Sequence, residues 1–290
     1  MTGPAQTPTG EIADAPAGPP RHAPEREALE ASIIERHRAR LRRQRNTYLG
    51  IRFLSLVIVL AAWQYYGSHS IGIIFQPITT VISSLWVMIK SGALANALGY
   101  SLWTLAIGYL AGLLCGVTVG MGIGVYRKVE AATGIYVYAL YATPMVAIAP
   151  LLSIWFGFGV LTQLLLIGLF VFFPAVVTVS YGVRNIDPEL LEVARSLRMG
   201  NRSMWRHVLL PGAAPYIAAG ATQGVAMGLV GMFIAEIFTQ LTGLGDLLET
   251  AAQTYHTANA LAVLLVIMFL GVSLRGVLTL IQRRIAPWAR

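Results

Sequence analysis

Glu236 and Arg275 are the ionisable side chains that fall inside long apolar stretches of this 290-residue sequence. A charge at membrane depth is costly, so each is a functional candidate by default. Their depths differ. At 1.5 Å per residue, Glu236 lies roughly 37 Å from the start of its segment. Arg275 is about two helical turns from the end of its own and can snorkel to the interface. Glu236 then either belongs to a solute pathway or makes a structural hydrogen bond or cap. Little else suggests covalent chemistry. The single cysteine, Cys115, has no partner thiol and sits in an apolar run, where it reads as packing. His22, His37, His69, His207 and His256 are scattered, without the spacing of metal ligands. No phosphate-binding P-loop, HExxH or GxSxG pattern occurs, and no paired intramembrane aspartates. No cofactor or metal is expected in this chain. A membrane-embedded enzyme would need clustered polar residues at depth.

A different kind of activity is written in a polar island. Residues 189–211 read ELLEVARSLRMGNRSMWRHVLLP between two apolar segments. Asp187 suits an N-cap, and Pro188 and Glu189 suit the first turn of a helix. Leu190, Leu191, Ala194 and Leu197 then give one apolar face, flanked by Glu192 and Arg198. Gly200 and Asn201 can end that helix. Ser203, Met204 and Trp205 begin a second turn that returns to Leu210 and Pro211. The pattern predicts two short helices at the membrane surface. An apolar face with charged flanks fits a groove on an aqueous partner, and the alternative is a helix lying on lipid.

Composition fixes the setting. The chain is 56% hydrophobic and 12% charged, with a mean hydropathy of +0.65, against about 25% charge in ordinary soluble domains. The net charge of +8 does not indicate nucleic acid: nine of the 21 basic residues precede Phe53 and five lie between Arg184 and Arg206. Basic charge beside and between spans is the positive-inside pattern. Spans are predicted near 48–67, 95–125, 131–151, 161–182, 212–237 and 259–281. That gives an all-α integral membrane protein with six transmembrane helices and both termini cytoplasmic. Residues 1–24 read as a disordered tail. Residues 25–45 read as a basic helix, either on anionic lipid or as a solvated flank. The domain reading is 1–47 for tail and helix and 48–290 for the membrane domain, with its core at 95–282 and the polar loop at 184–211. Residues 68–92 form an outer connection with a short surface helix after Pro77, and 238–257 an outer loop.

Within the spans, Gly108, Gly112, Gly116, Gly120 and Gly124 recur every fourth residue, and Gly220, Gly224 and Gly228 repeat the device. Four-residue spacing puts each set on one helix face, where another helix can approach closely. Around 144–159, Pro144 and Pro150 each remove a backbone donor. Broken helix at membrane depth needs protein or a water-filled cavity around it. Met145, Pro150, Trp155 and Phe156 are therefore candidate pathway residues together with Glu236. The other reading is a plain outer hairpin.

The polar island resembles the "EAA" coupling loop of ABC-transporter permeases. Glu192, Ala194, Leu197, Val208, Leu210 and Pro211 fall at the spacing of that pattern. Arg198 departs from it, standing where the family has glycine. The resemblance covers residues 77–288, through PMVAIAPLLSIWFGFG (144–159), DPELLEVARSL (187–197), LPGAAPYI (210–217), AEIF (235–238), GLGDLL (243–248) and QRRIAPW (282–288). It is to the permease subunits of importers for nitrate, sulfonate, taurine and bicarbonate. The resemblance implies a type I importer fold in a bacterial inner membrane. It implies a second permease copy, two cytoplasmic P-loop ATPase subunits that bind the ATP and Mg, and an extracytoplasmic substrate-binding protein. The implied cargo is a small anion, with a vitamin precursor or aromatic carboxylate as the alternative. A passive channel would leave the coupling loop unexplained.

Overall fold

In hydrocarbon a backbone must satisfy its own hydrogen bonds, and long apolar runs do so by coiling into helices. A computed structural model of the chain describes residues 23–239 and 241–285, and among these every regular element is helical. Two compact units meet in sequence at Ala62 and Trp63. The first holds most of helix α1 (Ala23–His69). Its part from Thr47 on is apolar and long enough to cross a membrane, and all of that stretch is exposed except Trp63, Gln64 and Gly67. The helix runs through residue 47 without a break, so the change from basic to apolar sequence falls inside one element. The tail expected to be disordered lies, up to residue 22, outside the described residues.

The second unit begins where Trp63 donates its indole N–H to Gln76 O at 3.0 Å. It contains α2 (Ile78–Lys90), α3 (Ala93–Val125), α4 (Arg127–Ala142), α5 (Ala149–Phe156) and α6 (Val160–Arg184). The short α7 (Pro188–Ser196) and α8 (Asn201–Met204) follow, then α9 (Leu210–Thr239), α10 (Leu244–Gln253) and α11 (Thr257–Ile285). α6 is apolar around its circumference, and such a helix belongs in the middle. It is the most buried of the spans, gripped between α3 and α9.

Both glycine ladders face α6. A Cβ on Gly112 would come within 2.4 Å of Gly168 O, and on Gly116 within 2.7 Å of Ala175 Cβ. Gly108, Gly120 and Gly124 meet Ile167, Val176 and Val183 in the same way. From the other side, Gly224 and Gly228 meet Val171, Gly220 rests against Ala175, and Gly231 meets Phe170. Lipid tails are as apolar as leucine, so water exclusion does not hold these helices together. Close backbone approach and the dispersion contacts it allows do.

Three expectations change. The third span, expected over 131–151, stops short at the break that Pro144 marked. α4 ends at Ala142, and after a 3₁₀ turn (Met145–Ile148) α5 leaves at an angle of 95°. The cause is Pro144, which holds Thr143 extended (φ −75°, ψ 139°). Five helices among the described residues are long and apolar enough to span a bilayer, six when this bent pair counts as one. Second, the region 238–257 is not an open loop, since it folds into α10, with Leu244 and Ala251 buried. Third, the second half of the polar island is not a separate surface helix. α8 passes through a π turn (Trp205–Leu209) directly into α9, making one helical run from Asn201 to Thr239.

Candidate functional site

The polar island is built on α7. Asp187 caps it, its Oδ1 accepting from Glu189 N–H at 2.9 Å, with Pro188 in the first turn. The helix ends earlier than Gly200. Arg198 N–H donates to Arg195 O (2.9 Å) and Met199 N–H to Ala194 O (3.1 Å), the paired bonds of a Schellman termination. That motif needs a left-handed residue, and Arg198 supplies it with φ 50°. The position where the resemblance expects glycine is therefore the one where the backbone asks for it.

The expected apolar face of α7 is divided. Ala194 is 2% exposed, and Leu191 packs with Met204 and Trp205 against the chain's own Val183, Ile186 and Leu209. Trp205 also lies 6.3 Å, centroid to centroid, from Tyr126. Ala194 and Trp205 therefore help to seat the loop on the bundle, Ala194 buried and Trp205 partly so. Leu190, Val193 and Leu197 point out, at 55%, 58% and 71% exposure. Val193 joins Leu190 and Leu197 on a stripe at 190, 193 and 197, offset from the 190, 191, 194 and 197 face that the sequence pattern predicts. Glu189, Glu192, Arg198, Gly200, Leu210 and Pro211 are exposed around it. Arg184, at the end of α6, pairs with Glu130 of α4 at 2.7 Å and ties the two helices beside the loop.

Of the two readings of Glu236, the structure shows the hydrogen bonds and cap of one. It is 1% exposed and its carboxylate closes onto the start of α10. Oε1 accepts from Ser101 Oγ at 2.6 Å and Oε2 from Gly245 N–H at 2.7 Å, while Ser101 Oγ accepts from Leu244 N–H at 2.9 Å. The N-cap of α10 is Gly243, which has no side chain, and a Cβ there would strike the Glu236 carboxyl at 2.3 Å. A carboxylate from one helix thus satisfies the orphan donors of another. Beside it, Tyr100 O–H donates to Gln163 Oε1 (2.9 Å), and Gln163 Nε2 donates to Thr239 Oγ1 (2.7 Å). These hydrogen bonds join α3, α6, α9 and α10.

In the bent pair the residues packed into the bundle are not the pathway candidates. Ala149 and Leu152 pack on Leu166 and Ala235. Met145 is half-buried and Pro150 exposed, while Trp155 and Phe156 are exposed at 67% and 50%. Arg275 is exposed on α11, and no carboxylate among the described residues pairs with it. No group of three or more metal-ligating side chains occurs among the described residues.

A glycine-laddered helical bundle with a capped, outward-facing polar helix between two spans is the construction of a transport permease. Residues 108–289 match the family described as binding-protein-dependent transport system inner membrane component, and the chain belongs to that family, the permeases of ABC importers. A Bacillus subtilis (strain 168) protein named for aliphatic sulfonates transport, the permease SsuC, is 28% identical over 235 residues, 80% of this chain and 84% of the relative. The taurine transport system permease protein TauC of Escherichia coli (strain K12) is 30% identical over 191 residues, 66% of this chain and 70% of the relative. The fold matches a chain in the crystal structure of an amino acid ABC transporter with histidines, at TM-score 0.56 and 19% identity, covering 69% of this chain and 98% of that one. The fold is that of a type I importer permease, and the protein is a multi-pass membrane protein.

Proposed function

We propose that this chain forms the translocation pathway of an ATP-driven importer, and that α7 receives the force. Leu190, Val193 and Leu197 carry the proposal: three large apolar side chains exposed on a helix whose other side is anchored in the bundle. Water contact at all three is unfavourable, and a groove on an ATPase subunit relieves it. Glu189, Glu192 and the exposed arginines 195, 198, 202 and 206 form a charged rim that orients docking. ATP and Mg belong to that partner. The distribution of arginine and lysine supports a bacterial inner-membrane location with the α7 loop and both termini in the cytoplasm. A second copy of the chain completes the pathway, and a soluble substrate-binding protein delivers the cargo from the opposite side. The names of the relatives support a small sulfonate as cargo.

The test is co-purification of the ATPase with Leu197→Asp and Val193→Asp. Each places an unpaired charge in the docking groove, which costs several kcal/mol. ATPase retention and stimulated hydrolysis are expected to fall sharply while the permease remains folded in the membrane. Wild-type levels of both would remove α7 as the dock.

A further inference from the structure

A cavity of about 710 Å³ opens between α9 and α11, and its two ends differ in chemistry. Near the end that leads to α7 it is lined by Thr222, Gln223 and Arg275. Toward the other end its walls are Leu229, Ile267, Met268 and Val272. Thr222 Oγ1 is engaged, accepting from Gln282 Nε2 at 3.0 Å and donating to Ala218 O at 2.9 Å. Gln223 accepts from Thr178 Oγ1 through Oε1 at 3.3 Å, and no acceptor among the described residues faces its Nε2. The Arg275 guanidinium likewise has no acceptor among the described residues. The polar end therefore offers donors and positive charge with nothing to receive them.

Position narrows the ligand. Arg275 lies 18 residues along α11 from Thr257, about 27 Å of helix in a hydrocarbon layer about 30 Å thick. Counted from Thr257, that length puts the cation at the edge of the hydrocarbon, with the apolar walls running inward from it. We propose that this groove binds an amphiphilic oxyanion: a singly charged sulfonate or phosphodiester at Arg275 and Gln223, with its alkyl chain along Leu229, Met268 and Val272. Arg275 then donates two parallel hydrogen bonds to the head group, a geometry suited to sulfonate and phosphate oxygens. Two sources share this chemistry, an alkyl sulfonate and an anionic phospholipid. The first rests on the transport reading and the second stands without it.

The full chain, reconstituted in phosphatidylcholine nanodiscs, is titrated with hexanesulfonate by calorimetry. In parallel, native mass spectrometry counts the phosphatidylglycerol retained from mixed discs. Arg275→Gln is expected to weaken whichever ligand binds by roughly tenfold to a hundredfold, the range of charge-assisted hydrogen bonds. Arg275→Lys keeps the charge but not the two-pronged geometry and should retain only part of the binding. Val272→Phe fills the groove without altering charge and should also block it. Sulfonate binding lost in Arg275→Gln assigns the groove to a cargo-type anion. Phosphatidylglycerol retention lost in that variant, without sulfonate binding, assigns it to lipid. If Arg275→Gln and Val272→Phe both match wild type for both ligands, the proposal is overturned. ATPase co-purification does not depend on Arg275, so this result and that of the α7 test are separable.

Discussion

Ser101 and Glu236 are 135 residues apart in the chain and joined by a 2.6 Å hydrogen bond, the hydroxyl donating to the carboxylate. The bond is half of a clasp, because the same hydroxyl accepts from Leu244 N–H and the same carboxylate from Gly245 N–H. Three helices are fixed relative to one another by two side chains.

Glu236→Leu should therefore act on stability. It leaves the Gly245 N–H and the Ser101 O–H buried without acceptors, at about 1–3 kcal/mol each. The detergent-purified chain is expected to melt several degrees lower, with transport falling only in proportion to folded protein. Glu236→Gln keeps one acceptor and should lose less. Transport abolished by Glu236→Gln at unchanged melting temperature would return the carboxylate to the pathway.

Gly112 and Gly122 make an internal comparison on α3. A Cβ at 112 meets the Gly168 backbone, which cannot rotate away, whereas a Cβ at 122 meets nothing within 4 Å. Gly112→Ala should cost about 1–3 kcal/mol through overpacking. Gly122→Ala should be neutral or stabilise by about 0.5–1 kcal/mol from helix propensity alone. Thermal melts of the two variants decide it.

The α7 end offers a stabilising change. Arg198 holds φ 50°, a region costly for a residue with a Cβ. Arg198→Gly is expected to raise local stability by about 0.5–1 kcal/mol, offset in part by unfolded-chain entropy. Slower hydrogen exchange at the Met199 amide is the readout. Tyr255 (φ 58°) closes α10 with the same bond pair, Tyr255 N–H to Ala252 O and His256 N–H to Ala251 O, so Tyr255→Gly should respond alike.

Ala194→Asp separates the two sides of α7. The site is 2% exposed, so the charge enters the permease's own core and not a partner's groove. Protease sensitivity of the loop is expected to rise in the isolated permease, before any ATPase is added. Leu197→Asp, at 71% exposure, should leave it unchanged.

Some of this was legible in the sequence and some was not, for physical reasons. The four-residue glycine spacing gives a packing face, but nothing in α3 alone says that α6 is the partner on it. The D-P-E run marks the start of α7 because capping is local. Its end is less legible, because glycine is the usual left-handed residue and Gly200 draws the eye, whereas the backbone turns at Arg198. Glu236 stood out as a lone acid, yet its partners Ser101 and Gly245 come from two other helices and leave no mark near it. α10 is ten residues long, and its amphipathic face was hidden behind the turn signal of Gly243 and Gly245.

The unbroken run from Asn201 to Thr239 has a mechanical consequence. Thirty-nine residues of helix, with a π turn at Trp205–Leu209 and Pro215 along the way, make a lever about 58 Å in contour. Met204 and Trp205, near one tip, are seated among the residues that carry α7, and Glu236, near the other, grips α10. A tilt of about 5° at the α7 tip sweeps the far tip through roughly 5 Å, close to one helical turn. An input confined to one face of the membrane can thus reach the opposite face through a single element, without a relay of loops between them.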